Sequence, residues 1–182
     1  MKKVLLLLSL FCYTVITIAQ KQIVVDPNVS VRSINKSFNS INVSGGIDLY
    51  LSQSDKEEIA VSASEEKYKD GIKNVVENNI LKIYYDGEKN WSKGNRKLRA
   101  YVSFSVLEKL EASGAVDIIV AGEIKVPVLL LKLSGASDFK GAVSVSNLTI
   151  DLSGASDVNI KGSAANVKIE TSGASDVKAY DL

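Results

Sequence analysis

The chain has 182 residues, with 22 Lys and Arg against 21 Asp and Glu, no His and a single Cys. So even a balance of charge offers no polycationic surface for nucleic acid or anionic lipid. The lack of His removes imidazole bases and the usual zinc ligands, and most familiar hydrolase mechanisms with them.

In chain order, the first segment places Lys2 and Lys3 before an apolar run from Val4 to Leu10 that continues to Ile18. Thr17-Ile18-Ala19 then forms a small-x-small site of the kind signal peptidase cuts. Residues 1–19 are therefore expected to be a secretory signal whose removal leaves 182 − 19 = 163 residues and discards Cys12. Phe11 before Cys12 fits lipoprotein processing poorly, and with no Cys left, disulfides and thiolate nucleophiles are ruled out. The remainder, 20–182, can bury a core as one domain and has no Pro-rich or Ser-rich linker to divide it. No later segment approaches the ~20 apolar residues of a membrane span.

Residues 20–37 read as an extended lead-in, with Val29 and Val31 joining a sheet edge. Ile41 to Leu51 reads as two strands bent at Gly45-Gly46, and Ile59 to Ala63 as a short strand. The polar stretch from Glu65 to Lys73 suits a helical turn or a loop. Asn78-Asn79, between Val75-Val76 and the run Ile80 to Tyr85, suits a hairpin turn because Asn tolerates positive φ. Residues 86–97, with two Gly, several charges and Trp91, form the most loop-like stretch, and Leu98 to Val106 returns to alternation.

From there the chain repeats itself. Ser-Gly-Ala recurs at Ser113, Ser134, Ser153 and Ser172, at intervals of 21, 19 and 19 residues, and an Asp follows each Ser by four: Asp117, Asp138, Asp157 and Asp176. Apolar residues occupy the same places around each copy. Leu110, Leu131, Ile150 and Ile169 precede the Ser by three, and Ile118, Phe139, Val158 and Val177 follow the Asp. Upstream, Phe38, Ile41, Val43, Ser44, Gly45, Gly46 and Asp48 reproduce Leu107, Leu110, Ala112, Ser113, Gly114, Ala115 and Asp117. Alternating apolar residues with Gly-containing breaks at a fixed period describe strands and tight turns in stacked units. The expected fold is all-β, a right-handed parallel β-helix-like solenoid with rungs of ~20 residues, identical positions lying ~4.8 Å apart; a β-sandwich of repeated hairpins is the alternative. No polar cap follows the last repeat, so a partner is expected to cover that end or the natural product to continue past Leu182.

The structural turn of each unit is Ser113-Gly114, Ser134-Gly135, Ser153-Gly154 and Ser172-Gly173. In-register stacking would set the Asp row close enough for each pair of charges to repel by about 1 kcal/mol in water. Two arrangements would offset this. The Asp and Ser side chains could accept hydrogen bonds from turn N–H groups, an Asx-turn repeated down a corner; or the carboxylates could hold a ladder of Ca²⁺. The Gly-Gly-x-Gly-x-Asp nonapeptide of Ca²⁺-binding β-rolls is absent, and the structural arrangement is expected, with no cofactor. A third use, a carboxylate-dependent polysaccharide-active enzyme with Asp residues two rungs apart at ~9.6 Å, runs against the repetition, since active sites break a repeat. Tyr84, Tyr85 and Trp91 form a second candidate surface for stacking on sugars or anchoring a partner, although strand alternation turns one of the two Tyr inward.

An export signal followed by Phe38-x-x-Ile41-x-Val43 and serial Ser-Gly-Ala-Ser-Asp units resembles the auto-transporter adhesin head-domain family of exported Bacteroidetes-type proteins, a domain of unknown function. The resemblance runs from about Val31 to Leu182. It implies a β-helix-like fold, an exported, periplasmic or cell-surface location, no catalytic residues, and members that run on past this point. The function expected is a non-enzymatic adhesin or binding module for a glycan or another envelope component; a polysaccharide-active enzyme and a purely structural envelope protein are the alternatives.

Overall fold

The computed structural model describes residues 28–87 and 96–182. Trp91 and the leader 1–19 lie outside the described residues. The first part of the chain carries β1 (Ser30–Arg32), β2 (Ser40–Ser44), β3 (Asp48–Gln53), β4 (Glu58–Ser62), α1 (Glu66–Gly71), β5 (Ile72–Glu77), β6 (Ile80–Tyr85) and β7 (Arg99–Phe104). The repeats carry β8 (Lys109–Gly114), β9 (Asp117–Gly135), β10 (Asp138–Leu152), β11 (Asp157–Thr171) and β12 (Asp176–Asp181).

All twelve strands belong to one mixed, nearly closed, barrel-like sheet. The second half is a parallel ladder. Asp138 pairs with Asp157, Ile150 with Ile169, and Asp157 with Asp176, an offset of 19 residues each time. On the other side β10 pairs with β9, Asp138 opposite Asp117 and Ile150 opposite Leu131. The upstream copy takes its place in the same register, with Ile41, Val43 and Ser44 of β2 opposite Leu110, Ala112 and Ser113 of β8. β2 and β3 do not pair with each other across Gly45-Gly46. β2 lies between β6 and β8, whereas β3 lies between β7 and β9.

The first half departs from a purely parallel stack. β1 with β4, β4 with β7, and β5 with β6 are antiparallel pairs. Asn78 and Asn79, at φ 51° and 61°, make the two-residue turn between β5 and β6, because this left-handed pair matches the twist of the strands it joins. Short polar connections permit antiparallel neighbours in this part, while each repeat needs a full coil to return in parallel.

Each long repeat strand serves both arms of the sheet. The start of β9 pairs with β3, and its end with β8. Inward residues from the starts, Ile118, Phe139 and Val158, join those from the ends, Leu131, Leu133, Ile150 and Leu152, in one buried cluster, so the arms face each other across a common core. The bends are set by a column of glycines, Gly45, Gly114, Gly135, Gly154 and Gly173, all at positive φ between 79° and 97°. A Cβ on Gly154 would run into the carbonyl oxygen of Gly135, so the column is small both for its backbone angle and for the close passage of one coil over the next.

Burial along the repeat is uneven. Ile150 is 0% exposed, yet its partner one coil on, Ile169, is 45% exposed. Ile150→Ala is expected to cost about 2–5 kcal/mol as a cavity-forming truncation. Ile169→Ala should cost about 1 kcal/mol or less, since half the apolar surface is in water already. Denaturant melts of the two variants measure the difference.

Candidate functional site

The bends carry two side-chain ladders. The second Ser of the motif is buried: Ser137 and Ser156 are 0% exposed. Each hydroxyl donates to the carbonyl of the Ser three residues earlier, Ser137 Oγ to Ser134 O at 3.0 Å and Ser156 Oγ to Ser153 O at 3.1 Å. In turn the N–H of Ser137 donates to Ser156 Oγ at 3.4 Å, and that of Ser156 to Ser175 Oγ at 3.3 Å. A hydroxyl is tolerated at this depth because both of its capacities are used. In the two earliest copies the place belongs to Ile47 and Val116, likewise fully buried. The first Ser of the motif spans coils too, Ser134 Oγ donating to Ala112 O at 3.2 Å and Ser172 Oγ to Leu152 O at 3.3 Å. Between them the backbone closes the stack, the N–H groups of Ala136, Ala155 and Ala174 donating to Gly114, Gly135 and Gly154 carbonyls at 2.7, 2.7 and 2.8 Å.

The Asp residues form an outward row in direct register, Asp117, Asp138, Asp157 and Asp176. Asp48 extends it, since Leu49 sits opposite Ile118 in the adjoining strand. Their hydrogen bonds run between coils rather than within one turn. The Asp157 N–H is shared by Ser137 O at 3.2 Å and Asp138 Oδ1 at 3.3 Å, and the Asp176 N–H by Ser156 O and Asp157 Oδ1 at the same two distances. One carboxylate oxygen is thereby tied to the next coil.

Two residues along each strand, on the same side of the sheet, runs a second row: Tyr101, Tyr50, Ile119, Lys140, Asn159 and Lys178. Tyr50 and Tyr101 stack with ring centroids 5.0 Å apart and planes 20° apart. Between the rows lies an open groove of about 310 Å³, lined by the four repeat Asp residues together with Ile119, Lys140, Asn159 and Lys178. The second row was missed in the sequence, although it stands at a constant two residues past each Asp.

The groove differs from the other outward face. There Lys132 bonds Asp151 at 2.9 Å across strands, Lys109 bonds Glu111 at 2.8 Å, and Lys168 bonds Glu170 at 2.9 Å, so charge is matched by charge. Among the described residues no ion pair joins Lys140 or Lys178 to the Asp row.

Asp48 is the one carboxyl of the row held above its ordinary value. Burial is the main cause and the neighbouring charge of Asp117 the next, with Arg99, its partner in β7, partly offsetting them. A raised folded-state value means that this group's contribution to stability is complete below the unfolded carboxylate range and lost as pH rises through the folded value. Asp48→Asn, which resembles the protonated form, is therefore expected to melt higher than the parent at pH 7. The gap should close as pH approaches 4, and melting curves across that range check it.

The aromatic trio of the sequence does not assemble on one face. Tyr84 is 39% exposed, while Tyr85 packs against the core under the Arg96 guanidinium, 5.1 Å from its ring centroid. Nor is any group of three or more Asp, Glu, His or Cys among the described residues arranged to hold a metal ion. Millimolar Ca²⁺ added after chelation is expected to leave the melting temperature unchanged, because only an ion bound by the folded state would raise it.

Residues 37–182 match the model of the family described as "Putative auto-transporter adhesin, head GIN domain". Among solved structures, a "putative adhesin" from Parabacteroides distasonis aligns over 83% of this chain and 64% of its own, with 22% identity and a TM-score of 0.72. A "putative lipid binding protein" from the same species aligns over 86% and 75%, with 20% identity and a TM-score of 0.62. A "putative adhesin" from Bacteroides fragilis aligns over 85% and 98%, with 16% identity and a TM-score of 0.52. At these identities the likeness is one of fold. No curated protein matches the chain, and no helix among the described residues is long and apolar enough to cross a membrane.

Proposed function

The chain belongs to the auto-transporter adhesin head family, and from that premise we propose that it is an exported, non-enzymatic binding module that holds a cell-surface or envelope component. The coils serve as the rungs of a β-helix-like solenoid, a single domain over 20–182, whose rigidity positions the binding face. Export is supported by the basic, apolar and small-residue order of residues 1–19.

One observation carries the reading. Charge on the other face is consumed by cross-strand ion pairs, whereas the groove beside the Asp row leaves its two ammonium groups out of such pairs and one oxygen of each carboxylate out of the ladder's hydrogen bonds. Polar groups on a rigid sheet that are not spent on one another are available to a ligand, and they are already in place, which lowers the entropic cost of binding.

Catalysis is disfavoured by the same geometry. A glycosidase needs two carboxyl groups with different environments, one held protonated and one ionised. Asp117, Asp138, Asp157 and Asp176 are equivalent exposed members of one row, and no coil departs from the others. The purified chain is therefore expected to bind an isolated envelope fraction or a member of a glycan array without breaking bonds. Cleavage of a bound polysaccharide that disappears in Asp157→Asn would defeat the reading. Silence in both assays would favour a purely structural envelope element.

A further inference from the structure

We infer that the groove beside the Asp row is a site for an extended, uncharged polysaccharide chain that lies across the strands, along the direction in which the coils stack. This rests on the binding-module reading and adds to it the place, the orientation and the chemical class of the ligand.

The orientation follows from the register. Asp117, Asp138, Asp157 and Asp176 recur at the same place in successive strands, and so do Ile119, Lys140, Asn159 and Lys178. Adjacent strands lie ~4.8 Å apart, so the groove repeats its chemistry at that spacing along the stack. A linear polymer whose unit is about one pyranose ring long meets the same pair of rows at each unit. A chain running parallel to the strands would meet the pattern only once.

The class follows from what the rows present. Each carboxylate keeps an oxygen that only accepts hydrogen bonds, while Lys140, Asn159 and Lys178 supply donors opposite. A hydroxyl both donates and accepts, so a polyhydroxylated chain can bridge the rows at every coil. Ile119, 40% exposed in the middle of the groove, gives an apolar contact for the C–H face of a ring. Beyond it, in the same row, the stacked Tyr50 and Tyr101 provide an aromatic terminus.

Charge then selects among polysaccharides. Four carboxylates against two ammonium groups leave the groove negative by two charges, and Asp48 lies beside it in the same row. Uronate or sulfated chains would bring like charge to within contact distance, which costs more than their hydroxyls return.

The test uses hexasaccharides of neutral β-1,4-glucan, β-1,3-glucan, β-1,4-mannan and β-1,4-xylan, with galacturonan hexamer as the anionic comparison, in titration calorimetry. At least one neutral hexamer is expected to bind, more tightly than its own dimer, with the galacturonan weakest. Asp138→Asn keeps the oxygen that ties coils together and should weaken binding by about tenfold, as should Lys140→Ala. Lys132→Ala, on the other face, should leave binding unchanged, and unaltered melting temperatures show that the variants are folded. Binding of envelope material that groove variants do not affect would overturn this inference and leave the binding-module reading standing. Preference for galacturonan, or no binding by any neutral hexamer, would overturn it equally. Absence of binding to the envelope fraction itself is the separate failure of the underlying reading.

Discussion

In-register contact between the bends of successive coils is the constraint on which the remainder of the molecule depends. Gly114, Gly135, Gly154 and Gly173 lie one over another with so little room that a methyl group at any of the last three would meet the backbone of its predecessor. Because the register is held at these bends, the apolar positions of every coil fall on the same side. A slip of one residue would turn all of them to solvent. The shared core of Ile118, Phe139, Leu131 and Ile150 is thus a consequence of the bend as much as of hydrophobicity.

The same constraint creates an electrostatic problem and part of its solution. Identical residues in register bring like charges together, and the Asp row is the result. On the opposite face the repeat is broken where charge would otherwise recur: Glu111, Lys132, Asp151 and Glu170 occupy one column, with Lys132 set between acids. No such alternation relieves the Asp row. Its carboxylates face water, accept N–H groups from the following coil, and bury only Asp48, whose raised affinity for a proton records the cost. Where one face is neutralised and the other is not, the second is the one with interactions left to make.

How much of this was legible in the sequence depends on how local the cause is. The hairpin at Asn78-Asn79 was legible because two residues that tolerate positive φ lay between two apolar runs. The short helix Glu66–Gly71 fell within a polar stretch with good helix formers. The bend of Ile41 to Leu51 was legible at Gly45-Gly46, but its two strands were taken to be neighbours, and they are not. Tyr84, Tyr85 and Trp91 drew attention because they are close in sequence, yet alternation along β6 sends the two tyrosines to opposite sides. The pair that does stack, Tyr50 and Tyr101, is 51 residues apart and carries no local mark.

What the sequence by itself determined was the repeat: its period, the residues that turn inward, and the line of carboxylates that a constant interval must produce. These follow from short-range rules, a two-residue alternation and a glycine where only glycine fits. The tertiary structure alone decided that antiparallel strands complete the sheet on its early side, that β3 sits between β7 and β9, and that Arg99, Tyr50 and Tyr101 end the rows begun by the repeats. Pairings of that kind join segments far apart in the chain, and their energy comes from a core that exists only once all the strands are in place.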